Sequence, residues 1–248
     1  MIQIDELSVK IENKIILEDL YLHIEKGEAH VLFGPNGSGK STLLNAIIGN
    51  PKYEVLKGQI YFKGKDLVGM PIDERARLGI GIIHQRPPTI TGVKLNALLN
   101  IISSKSEKEV VDMSSILKMD SFLKRDVNVG FSGGEVKRSE MLQVYSQNPE
   151  FIMYDEPDSG VDVENVELLG TLMNEMLDKN KKISERKTSG LIITHLGHIF
   201  KYIDIDKAHV LYNKQILCSG NPNEMLNHIM KNGYKRCIEC YREQEVKN

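Results

Sequence analysis

The eight residues from Gly34 to Ser41 constrain the fold of this chain more than any other stretch. They have the form G-x-x-x-x-G-K-S, between apolar runs at 29–33 and 42–48. Glycines let successive backbone N–H groups curl around phosphate oxygens, and the start of a helix adds positive potential. The pattern therefore predicts a phosphate-binding loop between a strand and a helix, with Lys40 at the β- and γ-phosphates and Ser41 ligating Mg²⁺. The residues expected to hold the nucleotide here are Gly34, Pro35, Asn36, Gly37, Ser38, Gly39, Lys40, Ser41 and Thr42.

Composition narrows the class of protein. A chain of 248 residues that is 41% hydrophobic can bury a substantial core, and a net charge of −2 gives no reason to expect nucleic acid or an anionic membrane as partner. No apolar run approaches the roughly 20 residues that span a bilayer, and the first residues lack a signal-peptide core. The three cysteines (Cys218, Cys237 and Cys240) are too few and too clustered for a disulfide framework. We therefore expect a cytoplasmic protein that does not insert into a membrane.

The order of predicted elements indicates an α/β fold. Apolar stretches alternate with turn signals over residues 1–33 and again at 58–63, which predicts antiparallel strands. Further strands are predicted at 80–84, 151–154 and 191–194, with helices at 40–48 and about 163–177, a hairpin at 210–217 and a last helix from Asn221. Residues 87–147 carry helical spacing instead. We expect one domain, with a core at about 1–86 and 148–220, a helical insertion at about 87–147 and a helical tail at about 221–248.

Two acids follow the apolar run at 151–154. A core strand that ends in Asp155 and Glu156 delivers both carboxylates to the carboxyl edge of the sheet, where open α/β sheets bind their ligands. Asp155 is expected to hold Mg²⁺, and Glu156 to polarise an attacking water. Gln85 and His195 also end core strands, so we expect Gln85 to sense Mg²⁺ and the γ-phosphate, and His195 to contact the γ-phosphate.

A second candidate phosphate contact lies at Ser132, Gly133 and Gly134. With Glu135 three residues on, Ser132 forms a capping-box pattern, which is a structural role, but such a helix start also offers N–H groups to a phosphate. One chain should not need two phosphate-gripping loops about 90 residues apart unless the second grips a nucleotide held by another copy. The pattern therefore predicts a two-fold, head-to-tail dimer that forms on ATP binding.

Taken in sequence order, six motifs resemble those of the ATP-binding-cassette (ABC) family, and the resemblance covers essentially the whole chain. The motifs are the phosphate loop, Gln85, the Ser132 loop, the acids of the 151–156 segment, residues 159–162 and His195. The resemblance implies a P-loop NTPase core with an antiparallel β-subdomain and an inserted helical subdomain. It also implies ATP and Mg²⁺ as cofactors, hydrolysis of ATP, and Asp162 at the interface between two copies. Ile11 stands where many cassettes place an adenine-stacking aromatic, which implies looser discrimination among nucleotides.

Within that family the segments 50–55, 62–67, 128–135, 158–160 and 209–212 resemble the branch that serves SUF-type iron–sulfur cluster assembly. This implies a scaffold protein of the SufB or SufB–SufD type as partner. Pro157 differs from this branch and is typical of transporter subunits, so the alternative is the nucleotide-binding subunit of an ABC membrane transporter.

A DNA-tethering clamp is disfavoured because no sustained heptads separate Thr42 from the acidic strand. The basic run at 179–187 lacks aromatic residues, which favours a solvated loop over a nucleic-acid patch. Cys237 and Cys240 are interpreted as incidental thiols in preference to a metal site shared with a partner.

Overall fold

Two β-sheets of different kinds carry the fold, which we describe from a computed structural model for residues 1–194 and 198–245. The strands are β1 (Ile2–Ile11), β2 (Lys14–Ile24), β3 (Ala29–Phe33), β4 (Glu54–Phe62), β5 (Lys65–Asp66), β6 (Ile80–Ile83), β7 (Ile90–Lys94), β8 (Asp126–Val127), β9 (Phe151–Asp155), β10 (Ser189–Ile193), β11 (Lys207–Tyr212) and β12 (Gln215–Gly220). The α-helices are α1 (Lys40–Ile48), α2 (Ile72–Arg77), α3 (Leu95–Ile102), α4 (Glu107–Ile116), α5 (Gly133–Gln147), α6 (Val163–Met176) and α7 (Pro222–Glu245).

The central sheet has six strands in the order β12-β11-β3-β10-β9-β6. All neighbouring strands are parallel except β12, which pairs antiparallel with β11. Its inner strands β3, β9 and β10 are buried along almost their whole length and mostly apolar, because helices or the other sheet cover both faces. Asp155 pairs with Ile193, and Ile193 with Leu32, so the carboxyl ends of β3, β9 and β10 lie at one edge.

The first residues form the predicted antiparallel sheet, whose strand order is β2-β1-β4-β5. β1 lies between β2 and β4 and pairs antiparallel with both. Its buried side chains pack with α1 and one face of the central sheet in a single hydrophobic cluster, which includes Ile4, Leu20, Leu43 and Met153. This cluster fixes the phosphate loop between the two sheets, because α1 belongs to it.

Helices α3, α4 and α5 occupy the segment where helical spacing was predicted. Ser106 caps α4 and Ser132 caps α5, each in a capping box with the glutamate three residues on. The segment also contains β7 and β8, a short antiparallel pair that the helical spacing did not predict. A second hydrophobic cluster joins these helices to α6 and the other face of the central sheet.

The remaining helices agree with their sequence signals. α1 spans the predicted residues and ends at Gly49, whose φ of 86° is the left-handed conformation that favours glycine. Asn221 caps α7, since its side-chain oxygen accepts from the backbone N–H groups of Asn223 (3.0 Å) and Glu224 (3.2 Å). Residues 179–187 form a loop with a short 3₁₀ turn at Ile183–Glu185. The predicted antiparallel and α/β parts of the fold are confirmed.

Candidate active site

The phosphate loop runs from the end of β3 to the start of α1. Gly37 and Gly39 have φ values of 76° and 108°, which side chains with a Cβ rarely adopt, so the glycines let the loop curl. Within the described residues no side chain caps α1. Its first N–H groups therefore point into the loop as donors, beside the positive end of the helix dipole.

Two side chains of the loop are arranged to meet a phosphate. The Ser38 hydroxyl is buried and has no hydrogen-bond partner among the described residues, which is costly unless a ligand accepts from it. Lys40 is buried as well, and its ammonium donates to the carbonyl oxygens of Gly34 (2.9 Å) and Pro35 (3.1 Å). Burial lowers the pKa of Lys40, although the carboxylates of Glu156 and Asp155 oppose that effect. The ammonium is thus held by its own loop, within reach of a bound anion.

Asp155 and Ser41 lie side by side. The Ser41 hydroxyl donates to Asp155 Oδ1 at 3.2 Å, which joins the start of α1 to the end of β9. Burial raises the pKa of Asp155, and the Ser41 hydroxyl partly counters this by stabilising the carboxylate. A carboxylate and a hydroxyl are the hard oxygen donors that Mg²⁺ prefers. The donor set therefore fits the metal that the sequence predicted.

Gln85 and Glu156 follow the neighbouring strands β6 and β9, and their side chains meet beyond the strand ends. The Gln85 side-chain amide donates a hydrogen bond to Glu156 Oε2. Glu156 has a φ of 49°, in the left-handed region, and its N–H donates to Ile193 O at 3.0 Å. The sharp turn after β9 thus directs the two neighbouring acids differently, since Asp155 still belongs to the strand while Glu156 has left it.

A cavity of about 620 Å³ opens along this edge, within the range of ligand pockets. Lys40, Ser41, Gln85 and Glu156 line it, and so does Ile11 from the end of β1. The wall of the cavity therefore has the aliphatic side chain of Ile11 at the position where, by the resemblance described above, many cassettes have an aromatic ring. The full set of lining residues is Ile11, Lys14, Ile16, Asn36, Gly37, Gly39, Lys40, Ser41, Thr42, Gln85 and Glu156.

The Ser132 loop does not line this cavity among the described residues. The Ser132 hydroxyl accepts from Glu135 N (3.4 Å), and Glu135 Oε2 accepts from Ser132 N (2.7 Å), which completes the capping box. Gly133 lies against the turn before α6, since a Cβ there would be 3.0 Å from Gly160 O. The structure therefore places the two candidate phosphate loops apart within one chain.

Asp162 caps α6 in this structure. Its side chain accepts from the backbone N–H of Asn165 at 3.0 Å and from the Asn165 amide at 2.6 Å. Arg138, on α5, donates to Asn165 Oδ1 at 2.9 Å. Asp162 is thus connected through Asn165 to the helix that begins at Ser132.

Two charged residues of α5 contribute to the site and were not predicted. Lys137 is buried, and its ammonium donates to His84 O (2.6 Å) and Gln85 O (3.0 Å). Glu140 Oε1 accepts from both the backbone N–H (2.8 Å) and the ring Nδ1 (2.7 Å) of His84. The helix that begins at Ser132 therefore holds the backbone on which Gln85 stands. The sequence signal was weak, since charged residues spaced three apart on a helix usually face solvent.

His195 lies outside the described residues, so its predicted contact with the γ-phosphate stays a prediction. The residue before it, Thr194, is described, and its hydroxyl donates to both carboxylate oxygens of Asp158 at 3.1 Å. In the described part of the chain, no helix is long and apolar enough to cross a membrane.

A phosphate loop at the end of the parallel strand β3, with two acids at the same edge at the end of β9, one strand further on past β10, defines a P-loop nucleoside triphosphatase. Residues 17–159 match the family model described as "ABC transporter". The chain is 39% identical to the probable ATP-dependent transporter SufC of Escherichia coli, over 89% of this chain and 92% of that protein. It is 36% identical to a probable ABC transporter ATP-binding protein of Streptococcus pyogenes, over 94% and 93%.

Solved structures agree on the fold. An ATP-binding cassette of an ABC transporter in its ADP conformation aligns with a TM-score of 0.75 at 25% identity, over 97% of this chain and 98% of that one. A dimeric bacterial ABC transporter cassette aligns with a TM-score of 0.74 at 19% identity, over 89% and 98%. The chain therefore belongs to the ABC transporter family, and it is a nucleotide-binding ATPase of that family.

Proposed function

We propose that this chain is a cytoplasmic, Mg²⁺-dependent ATPase subunit that drives conformational change in an iron–sulfur cluster assembly scaffold of the SufB or SufB–SufD type. The convergence of Lys40, the Ser41–Asp155 pair and the Gln85–Glu156 pair at one sheet edge carries the catalytic part of this proposal. The 39% identity to SufC over most of both chains supports the biological part.

Binding of ATP is assigned to the phosphate loop, 34–42. The N–H groups at the start of α1 and the unpartnered Ser38 hydroxyl are donors for the phosphate oxygens. Lys40 leaves the carbonyls of Gly34 and Pro35 and pairs with the β- and γ-phosphates, which provide a charged acceptor in place of two neutral ones. Ile11 contacts the base through an aliphatic surface, so we expect weak discrimination among nucleoside triphosphates.

Ser41, Gln85 and Asp155 are the proposed Mg²⁺ ligands, directly or through water. The metal, when bound, neutralises charge on the β- and γ-phosphates. Burial raises the pKa of the Asp155 carboxyl, and the positive charge of a bound metal would oppose that effect because it favours the ionised form. The Ser41 hydroxyl is within hydrogen-bond distance of that carboxylate already, so both oxygens are close enough to serve one ion.

Hydrolysis is assigned to Glu156, which accepts a proton from the attacking water. The Gln85 amide orients the carboxylate of Glu156, because it donates to one of its oxygens. His195, which follows β10 at the same edge, is proposed to contact the γ-phosphate. In this assignment Glu156 acts as the base and Gln85 orients it. Lys40 offsets the negative charge of the transferred phosphoryl group.

We propose that the Ser132 loop completes the site of a second copy. It lies apart from the cavity of its own chain, and its capped helix start retains backbone donors and the Ser132 hydroxyl. In a head-to-tail pair each copy would place Ser132, Gly133 and Gly134 on the other's nucleotide, with Asp162 at the interface. ATP would then assemble the dimer, since it supplies the contacts between the halves.

The scaffold is proposed to dock at a groove between the central sheet and the helical insertion. This groove has a volume of about 310 Å³, and its wall includes His84 and the apolar Ile90 and Val144. Two buried acceptors in it, Asn128 Oδ1 and Glu140 Oε2, have no partner among the described residues. Unpaired buried acceptors are costly, so a segment that inserts an apolar face and a lysine, arginine or amide donor would fit this groove.

The alternative is a membrane transporter as partner. It is favoured by the transporter names of relatives and by Pro157 after Glu156. ATP turnover of the purified chain, measured alone and with a purified SufB–SufD-type scaffold, tests the leading proposal. We expect the scaffold to stimulate turnover by raising the effective concentration of the two copies. If turnover is unchanged at scaffold concentrations that give a stable complex, or if no complex forms, the scaffold proposal is wrong.

Light scattering of Glu156→Gln with and without Mg-ATP tests the shared site. The amide keeps the shape of the carboxylate but cannot accept the proton, so we expect ATP to trap the dimer. Ser132→Arg in the same background should prevent it by bulk and charge. A Glu156→Gln variant that stays monomeric with ATP at high protein concentration, or a Ser132→Arg variant that dimerises equally well, contradicts the proposal.

A further inference from the structure

The starts of helices α5 and α6 are packed against each other. A Cβ at Gly133 would lie 3.0 Å from a carbonyl oxygen of the turn at 159–162, and a Cβ at Gly134 would lie 3.5 Å from the side-chain nitrogen of Asn165. Because neither glycine has a Cβ, the backbone of the Ser132 loop comes close to that turn. The two segments that are proposed to meet a second copy are therefore neighbours within one chain.

Asn165 joins these two segments through its side chain. The Asn165 amide donates to Asp162 Oδ2 at 2.6 Å, and the Asn165 side-chain oxygen accepts from Arg138 Nη1 at 2.9 Å. Asp162 caps α6, and Arg138 lies on α5. One side chain therefore holds the helix that begins at Ser132 to the cap of the next helix in the chain.

The Arg138 guanidinium depends on this contact. Arg138 Nε is buried and has no hydrogen-bond partner among the described residues. A buried donor on a charged group is costly to leave unpaired, so a second loss at the same guanidinium would add to that cost. The folded chain therefore strongly favours the bond between Arg138 and Asn165.

The contact lies outside the nucleotide cavity of its own chain. Arg138 and Asn165 are not among the residues that line the cavity of about 620 Å³ beside Lys40. Asn165 also donates its backbone N–H to Asp162 Oδ1 at 3.0 Å, and this bond does not depend on the Asn165 side chain. The side-chain contact therefore serves neither the nucleotide cavity nor the backbone bond of the cap.

We propose that Asn165 is a positioning residue for the dimer: it fixes the Ser132 loop to the turn that ends at Asp162, so that both reach the second copy as one preformed surface. This role of Asn165 rests on the shared site proposed above. A preformed surface loses less conformational freedom on association. Without the Asn165 side chain, the two segments would have to be ordered separately, and the dimer would be weaker.

The Asn165→Leu variant tests this role in the Glu156→Gln background, by light scattering over a dilution series with Mg-ATP. Leucine keeps the size of asparagine and the backbone bond to Asp162, but it removes both side-chain hydrogen bonds. Each dimer contains the contact twice. A loss of about threefold per copy, in the lower part of the range for one hydrogen bond, therefore raises the dimer Kd about tenfold.

Asn174→Leu in the same background is the matched control. Asn174 also lies on α6, and its side chain also makes two hydrogen bonds, to Tyr202 O (2.7 Å) and from Asp204 N (3.1 Å). Asn174 is about 14 Å further along the helix axis than Asn165, away from the Ser132 loop. We expect Asn174→Leu to lower the unfolding temperature but to leave the dimer Kd within about twofold of the parent.

Two further measurements separate positioning from a loss of folding. In chains with an intact Glu156, the Kd for ADP of Asn165→Leu should stay within about twofold of the parent, because a monomer binds ADP without the contact. ATP turnover of Asn165→Leu should fall at low protein concentration and recover as the concentration is raised, since mass action restores the dimer. A misfolded fraction would lose turnover at every concentration.

The Arg138→Leu variant tests the same contact from α5, and it leaves Asn165 and the cap of α6 intact. We expect it to raise the dimer Kd as well. Because both substitutions remove one contact, their combined effect on the Kd should be smaller than the product of their separate effects.

A dimer Kd of Asn165→Leu within about twofold of the Glu156→Gln parent overturns this role, and so does an equal rise in Asn174→Leu. Effects of Arg138→Leu and Asn165→Leu that multiply in full also overturn it, since they would show independent contacts. A Glu156→Gln parent that stays monomeric with Mg-ATP is a different result, because it contradicts the shared site itself and this role with it.

Discussion

Two buried histidines make the stability of the fold sensitive to acid. His30 on β3 and His209 on β11 are almost fully buried, and His209 Nε2 lies 2.9 Å from His30 Nδ1. The outer nitrogens meet Glu28 Oε2 (3.0 Å) and Ser219 Oγ (2.6 Å). The two rings therefore link a carboxylate to a hydroxyl through the interior of the central sheet.

The three hydrogen bonds that join Glu28, His30, His209 and Ser219 are consistent with only one assignment of donors and acceptors. The ionised carboxylate of Glu28 only accepts, so His30 Nε2 carries the proton and His30 Nδ1 accepts from His209 Nε2. The Ser219 hydroxyl then donates to His209 Nδ1. A proton added at His30 Nδ1 would face the N–H of His209, so His30 cannot become charged without breaking that bond.

The charged form of His209 is strongly disfavoured. Burial, with the neighbouring His30 and Lys207 acting in the same direction, lowers the pKa of His209 to about 3. Burial also lowers the pKa of His30, against the opposing effects of Glu28 and Asp206, while Lys207 adds to the lowering. His209 is therefore neutral in the folded protein at pH 5 to 7, and the pKa of His30 is shifted in the same direction.

The sign of the effect follows from which state binds the proton. An unfolded histidine binds it near pH 6.5, whereas folded His209 does so only near pH 3. Stability from this group is fully present above pH 6.5 and is lost as the pH falls toward 3. At about 1.4 kcal/mol per pH unit, the free energy of unfolding should fall by about 2 kcal/mol between pH 7 and pH 5.

The test is urea unfolding of His209→Gln and the parent at pH 7, 6 and 5. Glutamine can still donate to His30 but does not titrate, so the variant should lose about 2 kcal/mol less than the parent over this range. His23→Gln is the control for the loss of one histidine, because His23 is exposed and lies on β2 of the other sheet. If His209→Gln and the parent have the same pH dependence, the buried pair is not the acid-sensitive element.

Three further predictions follow from single side chains. Lys40→Ala should abolish nucleotide binding or hydrolysis, and near-normal ATP turnover would contradict the site assignment. Arg75 is buried and donates to the carbonyls of Ala46 and Ile47 (both 2.8 Å) at the end of α1, so Arg75→Lys should cost about 1–3 kcal/mol of stability in thermal unfolding. The Tyr154 hydroxyl is buried without a partner among the described residues, so Tyr154→Phe should raise the unfolding temperature, and a fall would show an unseen partner.

The parts of the fold that were predicted have local signals. The phosphate loop, the ends of α1 and the caps at Ser132 and Asn221 depend on residues within about four positions of one another, where glycine conformation and side-chain caps act. A shared metal role for Asp155 and Ser41 was also predicted, because the phosphate-loop motif assigns Ser41 to Mg²⁺ and the end of a core strand places Asp155 at the ligand-binding edge of the sheet. Local chemistry and sheet polarity were sufficient for these.

The parts that were not predicted depend on contacts between distant residues. His30 and His209 are separated by 179 positions, and nothing near either histidine indicates the other. Lys137 looks like a surface residue until the strand that precedes Gln85 is placed beside α5. Sequence patterns describe faces and turns, whereas these contacts depend on how elements are stacked.

Among the described residues, Lys40, Ser41 and Gln85 are each paired with another group of the chain. The Lys40 ammonium donates to carbonyl oxygens of its own loop, the Ser41 hydroxyl donates to Asp155, and the Gln85 amide donates to Glu156. Each of these pairs satisfies a buried or charged group that would otherwise be costly to leave alone. A nucleotide must therefore exchange partners with the chain, so part of its binding energy goes into opening these contacts.

This exchange connects the nucleotide to α5. The Gln85 side chain that would change partner stands on a segment that Lys137 and Glu140 hold at His84 and Gln85 by hydrogen bonds of 2.6 to 3.0 Å. Those two residues lie on the helix that begins at Ser132. The same helix therefore positions both the Ser132 loop and the backbone of Gln85, so a movement of α5 would reach the Gln85–Glu156 pair.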